Sequence, residues 1–156
     1  MPQQPISNIK ALTLLHFSLF IGQLMFAGIA GYLVYSKSFN PVFNNEDVIV
    51  IVASAVIGLS VALIITAFTM FKNKVDKIRI NADAVPEKLT AYRATSIIRW
   101  AMLEAPTILT IICFLLTGKY SLLIIAAVLL LIFFYTKPSP AKIMQELAMS
   151  RGEVES

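Results

Sequence analysis

The chain has few of the residues that metal sites and common active sites use. Its 156 residues include one cysteine, Cys113, and one histidine, His16. A single cysteine excludes a disulfide within the chain, and its place in an apolar run is typical of a small buried side chain. A single histidine with no cysteine beside it argues against a metal site. HExxH, CxxC, phosphate-loop and Ser/His/Asp patterns are also missing, so an intramembrane enzyme is the least favoured class of function.

Charge is scarce as well. Only 14% of the residues are charged and 58% are hydrophobic, with a mean hydropathy of +0.78. Soluble domains contain about 25% charged residues, and so short a chain could not bury this much apolar surface in a core of its own. The composition predicts an all-α integral membrane protein. The net charge of +4 does not indicate nucleic acid, because the basic residues stand at the ends of apolar runs instead of forming one face.

Four apolar runs predict four transmembrane helices in a single domain, 1–156, at about 11–35, 48–71, 97–117 and 120–136. The first run exceeds the ~7–15 apolar residues of a signal peptide, which favours a retained helix. The polar segment 72–96 predicts a cytoplasmic loop, with a helix start at Pro86-Glu87. Ser139-Pro140 predicts the start of a short cytoplasmic tail helix over about 140–150.

The basic residues also predict the topology. With four crossings, one side of the membrane carries eleven of the thirteen lysines and arginines, and the other carries Lys37 and Lys119. The positive-inside rule places the basic side in the cytoplasm. We therefore expect two antiparallel hairpins with both termini cytoplasmic, in a bacterial inner (plasma) membrane. Arg99 and Trp100 would lie at the interface, with the arginine extended outward toward water.

Polar and small residues within the runs predict helix contacts. His16 and Gln23 are two helical turns apart and share a face, which favours hydrogen bonds between helices. Small side chains four residues apart let helix backbones approach closely. They form one pair and one longer stripe: Ala27, Gly31, Ser54, Gly58, Ala62 and Thr66.

The least expected residue is Glu104, a carboxyl within a membrane run. Pro106 lacks an N–H, so the carbonyl of Met102 loses its helical partner, and Thr107 follows Glu104 by about one turn. Burial favours the protonated carboxyl. Glu104, Thr107 and the Met102 carbonyl, with Thr110 further on, form a candidate site for a proton or a monovalent cation. The other interpretation is a protonated carboxyl that only hydrogen-bonds between helices.

The segment of about residues 84–117 resembles the proteolipid c subunit of rotary ATP synthases. The matching residues are Pro86-Glu87, Arg93, Thr95, Ala101, Glu104-Ala105 and Thr107-Ile108. In that family a cytoplasmic loop ending in Pro-Glu leads into a helix whose mid-membrane carboxylate binds a proton or sodium ion. The resemblance implies that role for Glu104 and a ring of copies. The chain departs from the family in its extra helix on each side, its single glycine, Gly58, in the preceding run, and its lack of an internal repeat.

Two functions follow from these observations. The first is a small oligomeric membrane protein that binds or relays protons or cations through Glu104. The alternative is a structural or accessory subunit in which Glu104 only hydrogen-bonds between helices and the basic loop docks a partner. Either protein would lie in a lipid bilayer as a homo-oligomer or part of a larger membrane complex. Neither needs a cofactor beyond a proton or monovalent cation.

Overall fold

The computed structural model describes residues 5–43, 45–81 and 84–149, with side chains from Ile9 onward. This part of the chain contains five helices and no strand: α1 Pro5–Tyr35, α2 Glu46–Ile80, α3 Val85–Thr117, α4 Tyr120–Tyr135 and α5 Pro140–Leu147. Helices α1, α2 and α3 are long and apolar enough to cross a membrane. A fourth span is possible if α4 and α5, which meet at a bend of 72°, count as one. The predicted all-α membrane protein is confirmed at this level.

The predicted loop 72–96 is wrong in its extent, because most of it is helical. Helix α2 continues to Ile80 and α3 already begins at Val85, so only a short connection separates them. Residues 72–80 contain no proline or glycine, and lysine and arginine are good helix formers. Their polarity therefore does not end the helix. The start predicted at Pro86-Glu87 agrees with α3, and α5 ends at Leu147, with residue 150 outside the described residues.

Local chemistry accounts for the helix ends. Asn45 caps α2, because its Oδ1 accepts a hydrogen bond from the Asp47 amide at 2.9 Å. Gly118 ends α3 in the left-handed conformation at φ 66°, and a Cβ there would lie 2.7 Å from Cγ of Pro41. Only glycine suits both conditions. Ser139 caps α5 by accepting from the Lys142 amide at 3.3 Å.

Helix α3 is the centre of the packing, since it contacts α1, α2 and α4. It joins two apolar clusters of buried side chains. One contains Leu12, Phe71, Trp100, Phe133 and Ile143 among others. The second contains Ala30, Val56, Ile111, Phe114 and Ala126 among others.

Contacts between segments that are distant in the sequence hold the helices together at both ends. The connection after α1 lies against the end of α3, where the amides of Val42 and Phe43 donate to the Leu116 carbonyl at 2.9 and 3.0 Å. Lys119 Nζ lies 2.7 Å from Glu46 Oε1 at the same end. At the other end α5 packs against α2, and this contact positions the cluster described below.

Candidate functional site

Glu104 lies at the edge of the buried face of α3. Its neighbours Leu103 and Thr107 are buried, Ala101 and Ala105 are exposed, and Glu104 itself is half-buried. Its carboxyl makes no hydrogen bond or ion pair within the described part of the chain. The carboxyl is therefore accessible from outside this one chain, midway along a helix that is apolar enough to span a membrane.

The other residues of the predicted ion site are placed differently from Glu104. The Thr107 hydroxyl is buried and donates to the Leu103 carbonyl at 3.0 Å. The Thr110 hydroxyl is also buried and donates to the Pro106 carbonyl at 2.7 Å. Among the described residues there is no group of three or more His, Cys, Asp or Glu side chains that could hold a metal. Ion binding by Glu104, Thr107 and the Met102 carbonyl stays a prediction.

His16 lies in a contact between helices. Its Nε2 is 3.1 Å from the Phe133 carbonyl of α4, and because a carbonyl only accepts, Nε2 carries the proton. The ring stacks on Phe133 at 4.7 Å and meets the edge of Trp100 at 4.8 Å. Gln23 is buried on the same helix, and neither of its amide atoms has a partner in the described part of the chain.

The small residues fall into two groups. Ala27 and Gly31 face the rest of the chain, and a Cβ at Gly31 would contact Leu123 of α4 at 3.8 Å. The stripe on α2 does not pack against another helix of this chain, because all four of its members are exposed: Ser54, Gly58, Ala62 and Thr66. Helix α2 uses a different face, with Val56, Ser60 and Phe71, for its buried contacts. The predicted packing of the stripe on a helix stays a prediction.

Arg99 is the main correction to the sequence analysis. We predicted a side chain extended outward beside an interfacial Trp100, but Arg99 is only 3% exposed and Trp100 is fully buried. The guanidinium carbon of Arg99 lies 3.5 Å from the centroid of the Phe71 ring. The physical reason is that α2 continues beyond Phe71 and α5 folds back beside it, so Arg99 is covered by protein.

Few acceptors surround the buried Arg99 guanidinium. Its Nη2 donates to the Thr136 carbonyl at 3.4 Å, a long hydrogen bond, and its Nε is buried with no acceptor in the described structure. The described ion pairs do not include Arg99, so no carboxylate there lies within 4.0 Å of it. A buried cation with this few acceptors is energetically unfavourable unless another group neutralises it.

Helix α5 covers this end through one polar and two apolar contacts. The Tyr92 hydroxyl of α3 donates to Oε2 of Glu146 at 2.5 Å. Ile143 and Leu147 are buried on the same side of α5. The short helix is therefore part of the folded core and is not a free tail.

A cleft of about 540 Å³ opens between α2, α3 and α5. We call it the Arg99 cleft. Its lining residues are Phe68, Phe71, Lys72, Val75, Asp76, Arg79, Arg99, Lys142, Gln145 and Glu146. The lining contains four cationic and two anionic side chains, so the cleft is positive. The spacing of Tyr92, Ser96 and Arg99 by four and three residues places them on one face of α3, and of these three Arg99 lines the cleft.

Comparison of the chain with protein-family models, with curated proteins and with solved structures gave no match.

Proposed function

We propose that the chain is a subunit of an oligomer or larger membrane complex, in which the protonated Glu104 hydrogen-bonds to a helix of another chain. One observation carries the proposal: Glu104 is a half-buried carboxyl on a membrane-length helix, with no partner in the described part of its own chain. A charged side chain at mid-membrane costs roughly 2.5–3.5 kcal/mol, which favours a protonated carboxyl that hydrogen-bonds to another group. Contact with a polar group of a second helix gives the protonated carboxyl a hydrogen-bond partner.

The exposed stripe on α2 supports assembly independently. A Cβ at Gly58 would meet nothing within 4 Å in this chain, so the backbone is open to another helix. Small residues at four-residue spacing are typical of close helix contacts in membranes.

The proposal includes the topology of two antiparallel hairpins with both termini cytoplasmic, in a bacterial inner membrane. Contacts between His16 and Phe133, and between Val42 and Leu116, support this pairing of helix ends. A single cysteine at Gln145 or Lys119, introduced with Cys113→Ser, tests the orientation. We expect a membrane-impermeant thiol reagent added outside cells to label Lys119→Cys and to leave Gln145→Cys unlabelled. The reverse pattern would contradict the orientation.

Glu104 also suits proton or cation relay, and we keep this as a second candidate. The carboxyl is at the helix edge and free of hydrogen bonds within the described residues, which leaves it accessible for proton exchange. The resemblance of residues 84–117 to the proteolipid c subunit supports the same candidate. Because one chain places few oxygens beside Glu104, a bound cation would need ligands from another copy or from water.

The size of the assembly in native-lipid particles tests the first proposal. An interhelical hydrogen bond in a membrane contributes about 0.6 kcal/mol, and up to roughly 1.7 kcal/mol. We therefore expect Glu104→Ala to weaken association by about 3- to 20-fold. Glu104→Gln should assemble almost normally, because the amide still donates. Ser18→Ala is the control, since this exposed hydroxyl only bonds Leu14 within α1. Unchanged assembly in Glu104→Ala would contradict the proposal.

Carbodiimide labelling separates the two candidates. If another chain covers Glu104, the carboxyl should resist a hydrophobic carbodiimide in the intact assembly and react after dissociation into single chains. Under the relay candidate it should react in intact membranes, a cation or high pH should protect it, and Glu104→Gln should abolish proton flux while assembly survives.

A further inference from the structure

We infer that the Arg99 cleft is a binding site for a phosphate-bearing anion. The cleft lies between the last turns of α2, Arg99 of α3, and α5. Its positive side chains are Lys72, Arg79, Arg99 and Lys142, and its negative ones are Asp76 and Glu146. The inference is independent of Glu104, which is not among the lining residues.

Arg99 supplies the first part of the argument. Arg99 lines the cleft, its guanidinium is almost fully buried over the Phe71 ring, and its Nε lacks an acceptor within the described structure. The planar guanidinium offers a fork of donors that matches two oxygens of a phosphate. The aromatic ring holds that plane in place, so the donors are already oriented before a ligand arrives.

The second part of the argument is that the two carboxylates of the cleft already have other partners. Asp76 Oδ1 lies 3.4 Å from Nη2 of Arg79, and Glu146 accepts the Tyr92 hydroxyl at 2.5 Å. Lys72 and Lys142 form no ion pair with a described carboxylate within 4.0 Å. Three cations of the cleft are therefore left without a described carboxylate partner, which suits an anion carrying more than one oxygen acceptor.

The apolar part of the lining suggests where the anion comes from. Phe68, Phe71 and Val75 line the cleft beside its basic residues on α2, a helix apolar enough to span a membrane. Such a surface can accept the upper acyl chain of a lipid while the cations hold its headgroup phosphate. A free phosphate ester offers the same oxygens without the acyl chain, so the experiment includes both sources.

Native mass spectrometry of the full chain in detergent provides the test. The probes are phosphatidylglycerol, phosphatidylcholine, and, for the soluble source, glycerol 3-phosphate and inorganic phosphate. We expect Lys72→Gln to weaken binding of the preferred anion by about fivefold. Lys74→Gln is the matched control, because Lys74 is exposed two residues away on α2 but lines a different surface groove. This control should bind like the unmodified chain.

Arg99→Lys is the second variant, because it keeps the positive charge and removes the planar guanidinium that can bind two phosphate oxygens. We expect it to weaken anion binding while the protein stays folded, as judged by its thermal midpoint. Preference for phosphatidylglycerol over phosphatidylcholine without binding of the soluble esters assigns the site to a lipid, and binding of the soluble esters assigns it to a free phosphate. Binding of neither class, or equal loss in Lys72→Gln and Lys74→Gln, would overturn the inference.

Discussion

Arg99, His16 and Glu104 show how much the surroundings of a polar side chain decide its role. His16 uses its ring in two aromatic contacts and its Nε2 proton on the Phe133 carbonyl. Arg99 lies against an aromatic ring and has few hydrogen-bond acceptors around it. Glu104 makes no hydrogen bond or ion pair in the described part of the chain. We attribute a packing role to His16, and we propose that Arg99 and Glu104 each bind a group from outside the chain.

Replacing His16 tests its packing role. His16→Ala removes two aromatic contacts, worth about 0.5–1.5 kcal/mol each, and an interhelical hydrogen bond of about 0.6 kcal/mol. We expect a loss of about 2 kcal/mol in the free energy of unfolding in mixed micelles. Phe17→Ala is the neighbouring control, because Phe17 is 48% exposed. Equal losses in the two variants would show that His16 makes no special contribution.

The sequence identified polar residues on membrane helices but not all of their surroundings. The two-turn spacing of His16 and Gln23 predicted hydrogen bonds between helices from a shared face. Both side chains are buried, and His16 makes such a bond, but Gln23 has no partner among the described residues. Arg99 beside Trp100 resembled an interfacial pair because both residue types favour membrane interfaces. Its burial depends on Phe71 and α5, which are distant in the sequence, and no local pattern specifies that contact.

Helix α5 is short but belongs to the core. It has only eight residues, and isolated helices of that length are unstable in water. Its stability therefore depends on the buried Ile143 and Leu147 and on the Tyr92–Glu146 hydrogen bond. Ser139-Pro140 correctly indicated where it begins, since capping is a local effect.

Truncating Leu147 should release α5. Loss of a buried leucine side chain costs about 2 kcal/mol or more, which corresponds to roughly a 30-fold increase in local opening. We expect amide hydrogen exchange to accelerate by that order over residues 140–147 in Leu147→Ala. Gln145→Ala, at an exposed position of the same helix, should leave exchange unchanged. Slow exchange in Leu147→Ala would contradict the docking of α5 through its apolar side.

The exposed stripe of α2 offers a separate test of assembly. Gly58→Leu places a bulky side chain where we expect another helix to approach, so the assembly should separate into smaller species in native-lipid particles. Gly28→Leu is the matched control, because both glycines are helical and open within this chain. Normal assembly of Gly58→Leu would show that the stripe faces lipid.

For the helices, apolar runs predicted membrane segments better than they predicted helix length. Helix α2 continues nine residues past the predicted end at residue 71, because lysine and arginine are good helix formers. The polar composition of 72–96 indicated where the apolar run ends, which differs from where the backbone hydrogen bonding ends. Pro86 gave a better boundary, since proline acts on the backbone directly.

Taken as one unit, the chain packs its helices around α3 and leaves two kinds of unsatisfied surface. One is the outward edge of α3 at Glu104, beside exposed Ala101 and Ala105. The other is the Arg99 cleft at the end covered by α5. A single sequence shows that these residues are polar or small, but not which of them the folded chain leaves without partners. Because the described part of the folded chain leaves Glu104 and the Arg99 cleft without partners, both proposals involve groups outside the chain.

Cross-linking in intact membranes tests the assembly at Glu104 most directly. A photoreactive benzoyl-phenylalanine at Ala105 lies beside Glu104 on the outward edge of α3, and one at Leu131 lies on α4, where the native side chain is 69% exposed. We predict that irradiation joins position 105 to one discrete protein species, a second copy or a partner, while position 131 yields mainly lipid adducts. Only lipid adducts at position 105 would contradict the assembly at Glu104.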